Sequence, residues 1–134
     1  MSALIDRLTT ERGYPVAKPD TIDDLVAAND FLVLFFTNDP ARCPESNDVA
    51  VILPELQWAF QNRFQVAVVD RESEQALKKR YPFNQWPALV VLQRGIPLEV
   101  ISRVRDWAEY RAILEPLLVA GSQSEQPISN TRLS

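Results

Sequence analysis

Residues 31–43 read Phe-Leu-Val-Leu-Phe-Phe-Thr-Asn-Asp-Pro-Ala-Arg-Cys, and this stretch decides the fold. Phe31 to Phe36 is apolar at every position, the pattern of a central strand covered on both faces. A short polar turn follows, and residues 45–62 then place Val49, Ile52, Leu53, Leu56, Ala59 and Phe60 on one face of a long helix. Pro54 interrupts that helix and is expected to kink it, because its ring crowds the preceding turn and it has no amide donor. Two further runs repeat the unalternated pattern, Phe64 to Val69 and Ala88 to Leu92. The chain is therefore organised around three buried strands.

The remaining elements fall between and around them. Residues 3–12 carry Leu4, Ile5 and Leu8 at helical spacing and end at Gly13. Tyr14 to Ala17 suits a short edge strand, where Pro15 is tolerated. Pro19-Asp20-Thr21 opens a helix with Asp23 and Asp24 in its first turn, where the helix dipole favours anions. Asn29-Asp30 ends it. Residues 73–81 form a polar helix that closes at Tyr81-Pro82. Gln93-Arg94-Gly95 turns the chain, and Leu98 to Val104 returns antiparallel. Asp106 caps a last helix with Trp107, Tyr110, Ile113, Leu114 and Leu117 inward. The order α-β-α-β-α-β-α-β-β-α predicts a mixed sheet between helical layers, an α/β/α sandwich. The domain is expected over residues 1–120, with 121–134, rich in Ser, Gln and Asn, as a flexible tail.

Composition narrows the function. The 134 residues carry 14 basic and 18 acidic side chains, a net charge of −4. This balance disfavours a nucleic-acid partner, which calls for a basic face, and suits a basic peptide. The chain has one cysteine, Cys43, and no histidine. Internal disulfides are thereby excluded, as are Ser-His and Cys-His catalysis, and neither a metal nor another cofactor is expected. The amphipathic Met1 to Arg7 lacks the apolar core of a signal peptide. No apolar run approaches the roughly 20 residues of a membrane span. A cytoplasmic location without membrane insertion is the expectation.

The element order resembles thioredoxin over residues 19–120. Two segments carry the likeness: Leu32 to Phe36 before the motif position, and Trp86-Pro87-Ala88-Leu89-Val90-Val91-Leu92, similar to the strand that opens at thioredoxin's cis-proline. Where thioredoxins place Cys-x-x-Cys, this chain has Pro40-Ala41-Arg42-Cys43. The resemblance therefore makes Pro40 the replacement for the attacking thiol. Exchange needs a thiolate nucleophile and a second thiol to resolve the mixed disulfide, and one cysteine cannot complete that cycle. The buried acid of thioredoxins corresponds to Leu34, and the small residues after their last strand to Arg103-Val104. A narrower likeness rests on Asp39-Pro40-Ala41-Arg42-Cys43-Pro44-Glu45, the Trp-Pro-Ala step and Trp107. Together they resemble the HyaE/HupG family of hydrogenase-expression accessory proteins, thioredoxin-like but lacking the dithiol.

That resemblance implies a chaperone rather than an enzyme, acting in maturation of an uptake NiFe hydrogenase. It would bind the twin-arginine signal peptide of the small subunit before export, with other hydrogenase accessory proteins as further partners. The expected peptide-binding residues are Asp39, Pro40, Arg42, Cys43, Glu45, Asp48, Trp86 and Pro87. Asp39, Glu45 and Asp48, with Glu55 further along, offer carboxylates that accept bidentate guanidinium bonds. Acidic residues in a helix's first turn also serve the helix itself. Arg103 is expected near the same face, opposing a cationic ligand. Trp86-Pro87 is expected to be cis, since an aromatic residue before proline lowers the cost of cis from a baseline of about 5–6% of X-Pro bonds. Trp58 and Trp107 are read as core, and Pro82-Phe83 as either core or an exposed contact. Two alternatives remain at this point: a single-cysteine oxidoreductase acting through Cys43, and a structural assembly factor.

Overall fold

The computed structural model describes residues 3–39 and 41–124, the last five of these by backbone alone. Its elements are α1 (Ala3–Thr10), β1 (Val16–Ala17), α2 (Ile22–Ala28), β2 (Phe31–Phe36), α3 (Glu45–Ala59), β3 (Gln65–Val69), α4 (Glu74–Arg80), β4 (Ala88–Gln93), β5 (Ile96–Ser102) and α5 (Trp107–Ser124). A 3-10 turn at Arg71–Ser73 leads into α4. The strands form one mixed sheet in the order β1-β3-β2-β4-β5. β2 is parallel to β3 and antiparallel to β4, with Leu34 opposite both Ala67 and Val90. All six residues of β2 are buried, as its unalternated composition requires.

Alternation along β2 divides the core between the two faces of the sheet. Leu32, Leu34 and Phe36 join Ala67, Val69, Val90 and Leu92 on one face, packed with Ile22 of α2 and Leu77 of α4. Phe31, Val33 and Phe35 point to the other face. The neighbouring helices α1 and α3 supply further buried residues, including Leu8, Leu53 and Leu56. Between these two helices and β3, Tyr14 Oη donates to Gln57 Oε1 at 2.6 Å, and Gln57 Nε2 donates to the Phe64 carbonyl at 3.1 Å. A buried polar bridge thereby satisfies its own atoms.

Several expectations shift. β5 spans 96–102 rather than 98–104. Arg94 and Gly95 both have positive φ (51° and 82°), the two-residue turn whose twist matches a hairpin, so the return strand starts at once. At the far end Arg103, with φ 66°, takes the chain out of the strand. A Cβ at Gly95 would stand 2.7 Å from Val26 Cγ1, a second reason for glycine there. Pro54 lies inside an uninterrupted α3. Trp58 is not core: it is 80% exposed. Phe83 is buried at 6%, which removes it as an exposed contact, while Pro82 stays exposed.

The described residues from Arg105 onward belong to a separate compact unit. There Asp106 Oδ1 caps α5 by accepting from the Glu109 N–H at 2.9 Å. Among the described side chains of α5, Tyr110, Leu114 and Leu118 are buried, whereas Trp107 is 40% exposed. The helix continues to Ser124, so residues 121–124 are helical rather than tail, and 125–134 lie outside the described residues. Among the described residues no helix is long and apolar enough to cross a membrane.

Candidate functional site

The site is assembled from the loop after β2, the first turn of α3, the segment before β4 and the residues after β5. Thr37 closes β2, and its backbone is held from both sides. Its N–H donates to Glu74 Oε2 at 2.8 Å, and its carbonyl accepts from the Ser46 hydroxyl. The Asn38 N–H also donates to Glu74 Oε2, at 3.0 Å. Asn38 has φ 59°, a conformation that asparagine tolerates better than most residues. Its Oδ1 accepts from the Asp39 N–H, and Asp39 Oδ1 accepts from the Ala41 N–H. The Asp39 carbonyl then accepts from the Arg42 and Cys43 N–H groups. These hydrogen bonds tie residues 37–39 to the residues from Ala41 onward that lead into α3.

Glu74 is the residue that sequence reasoning missed. It is 3% exposed at the start of α4, and Arg71 Nη1 stands 3.2 Å from its other oxygen. Burial pushes its carboxyl up from the ordinary 4.5, against the hydrogen bonds from Asn38 and Thr37 that favour the charged form. In sequence it reads as one acid among the charges of a solvated helix, and no local pattern marks it as buried.

Glu45 is the clearest revision. Arg103 Nε lies 3.1 and 3.0 Å from the two Glu45 oxygens, Nη2 also reaches Oε2, and the Val104 N–H donates to Oε1 at 3.0 Å. These hydrogen bonds, Arg103 first, hold the Glu45 carboxyl below its usual range. Arg103 is thus neutralised by Glu45 rather than left to repel a cation, and Glu45 is already occupied. Arg103 also donates its N–H to the Pro87 carbonyl at 2.8 Å, which brings the start of α3 and the proline segment together.

The Trp86–Pro87 bond is cis. Pro87 is buried and Trp86 half-buried. The Trp86 ring meets Phe83 edge-on at 4.8 Å between centroids, and Phe83 in turn lies 4.7 Å from Phe36. Lys78 Nζ sits 5.2 Å from the Phe83 centroid and 5.6 Å from that of Trp86. Of the other expected residues, Cys43 is a half-buried free thiol, Asp39 is half-buried, and Arg42 and Asp48 are exposed. Pro40 lies outside the described residues. Beside the loop opens a cavity of about 620 Å³ lined by Asp39, Thr37, Lys18, Asp70, Arg71 and Asp6, among others. Among the described residues no group of three or more His, Cys, Asp or Glu side chains could hold a metal ion.

The dithiol of thioredoxins is absent: Cys43 is the one cysteine of the sequence, and Leu34, 0% exposed, stands at the position matched to the thioredoxin acid. Purified protein is expected to show no turnover of insulin disulfides above background. Cys43→Ser should change the unfolding free energy by no more than about 1 kcal/mol. Insulin turnover near thioredoxin's rate that disappears in Cys43→Ser would overturn this reading.

The model of the Hydrogenase-1 expression protein HyaE matches residues 4–110. The hydrogenase expression/formation protein HoxO of Azotobacter vinelandii is 45% identical over 124 residues, covering 92% of this chain and 82% of its own. HupG of Rhizobium leguminosarum bv. viciae is 44% identical over 113 residues, covering 81% and 76%. The crystal structure of a putative HupG from Rhodopseudomonas palustris superposes with a TM-score of 0.57 at 37% identity, over 81% of this chain and 98% of that one. A mutant thioredoxin from Halobacterium salinarum NRC-1, at 24% identity, shares the fold with a TM-score of 0.63 over 76% and 88%. With a thioredoxin-like fold, a single cysteine and a family match over most of its length, the chain belongs to the HyaE family of hydrogenase expression proteins.

Proposed function

We propose that this protein is a non-redox chaperone of hydrogenase maturation that binds the twin-arginine signal peptide of the small subunit in the cytoplasm before export. The observation that carries the reading is a loop braced on both sides, by Glu74 and Ser46, in which no second thiol can act on Cys43. Such bracing suits a surface kept for recognition, because preorganised backbone lowers the ordering cost of binding. The names of the relatives, hydrogenase expression/formation proteins, supply the setting.

The proposed surface comprises Asp39, Pro40, Arg42, Cys43, Glu45, Asp48, Trp86 and Pro87, with a division of labour. Glu45 organises the site through Arg103, so the carboxylates left for a guanidinium are Asp39 and Asp48. Each charge-assisted bond is worth roughly 1.5–3 kcal/mol if desolvated, and about 0–1 if it stays exposed. Exposed pairs weaken with salt, whereas an apolar signal core on Trp86 does not depend on it.

The test is a calorimetric titration of the signal peptide, with and without its two arginines, against wild type and Trp86→Ala. Saturable binding to wild type is expected. Trp86→Ala should weaken it by about tenfold or more, as truncating a half-buried aromatic anchor does. Absence of saturable binding to either peptide sinks the chaperone reading. Equal binding by Trp86→Ala moves the site off this surface.

A further inference from the structure

The outer stripe of α3 is exposed and remote in sequence from Trp86, and it shares only Asp48 with the proposed peptide surface. Asp48, Val51, Glu55 and Trp58 follow one another at spacings of three, four and three, which lines them up along one side of the helix. At 1.5 Å per residue the stripe is about 15 Å long. Trp58 is 80% exposed and Val51 49%, the two most exposed large apolar residues of α3. A tryptophan held on a regular helix with its ring in water is the residue type most enriched among binding hot spots.

The charge of the stripe states what covers it. Residues 45–59 contain three acids, Glu45, Asp48 and Glu55, and no basic residue. Glu45 is neutralised by Arg103, while Asp48 and Glu55 have no ion-pair partner among the described residues. Two copies meeting across this stripe about a two-fold axis would bring four carboxylates and no basic residue of α3 into one interface, which disfavours a homodimer there. A partner with basic and apolar side chains interleaved at helical spacing complements it: its cations meet Asp48 and Glu55, its apolar face covers Val51, and Trp58 accepts either an aliphatic contact or a cation over its ring. Flanking Ala59 is small and exposed, so a second helix can approach closely. We propose that the Asp48–Val51–Glu55–Trp58 stripe docks a cationic amphipathic helix of a partner protein.

The probe is a synthetic three-turn peptide with leucines on one face and lysines along its margins, titrated against the full chain, with a companion in which every lysine is glutamate. Wild type should bind the lysine peptide and not the glutamate one, with a blue shift of tryptophan emission. Trp58→Ala should bind about 30-fold more weakly, the size of a hot-spot loss. Glu55→Lys should abolish binding, and raising the salt should weaken what remains in wild type. Trp86→Ala should bind this probe like wild type, which separates the stripe from the signal-peptide surface. Both residues are on the outside of α3, so folded variants are expected, and circular dichroism checks them. The proposal is overturned if Trp58→Ala and Glu55→Lys bind the lysine peptide like wild type, or if both peptides bind equally. It is equally overturned if sedimentation shows wild type self-associating through Trp58, which would make a second copy the occupant.

Discussion

Phe36→Ala should destabilise the protein by about 3–5 kcal/mol in chemical denaturation, the range for emptying a buried aromatic position. Phe36 is 0% exposed at the end of β2, facing the layer that holds Ala67, Val69 and Leu77. Its ring also supports the site: it lies 4.7 Å from Phe83 and 6.3 Å from Trp86. The cavity left by alanine would open directly beneath the segment that carries the cis-proline. The variant should therefore lose the proposed signal-peptide binding along with stability, and Phe36→Leu should lose less of both. A Phe36→Ala midpoint shift equivalent to under about 1 kcal/mol would mean that the aromatic stack is not packed as described.

The second large effect is expected at Glu74. Replacing it with alanine removes the acceptor of the Thr37 and Asn38 N–H groups and strands buried donors, for a loss of about 2–4 kcal/mol. The effect has a pH signature. Burial raises the folded pKa above the ordinary 4.5, so the native state holds the proton more tightly than the unfolded chain. Stability from this linkage is fully present below about 4.5 and declines as pH rises through the folded value. The stability gap between wild type and the non-titrating Glu74→Gln should accordingly shrink as pH rises from about 4.5. Glu45 works in the opposite sense: held low by Arg103, it contributes stability above the ordinary 4.5 that is lost as pH falls through its folded value. A pH-independent gap for Glu74→Gln would show that burial does not outweigh the hydrogen bonds at this carboxyl, and a Glu74→Ala loss under about 0.5 kcal/mol would show that Glu74 does not brace the loop.

These effects centre on residues that differ in how visible they are in the sequence. Phe36 belongs to an unbroken apolar run, and such a run has one low-energy solution, a strand covered on both faces. The same logic located β3 and β4. Trp58 shows where periodicity misleads. It follows the helix's apolar set closely enough to look like core, yet the buried positions Leu53, Leu56 and Gln57 place it on the far side of α3. A polar Gln57 takes a buried position because Tyr14 and the Phe64 carbonyl satisfy its amide. Those partners are 43 and 7 residues away, and no local window contains both.

The candidate site divides the same way. Loss of the dithiol is a matter of residue identity: one cysteine and a leucine at the acid's position suffice, whatever the packing. The roles of the charges depend on partners distant in the chain. Glu45 finds Arg103 across 58 residues, and Glu74 finds Thr37 across 37.

By itself, then, the sequence determined the apolar framework of the strands, the absence of a dithiol motif and the family likeness, since each is carried by contiguous residues and short-range periodicity. Only the tertiary structure decided which acids are free and which are spent on the fold. A carboxylate's role depends on burial and on the hydrogen-bond donors within reach, and those donors come from elements that meet only when the sheet closes over its helices.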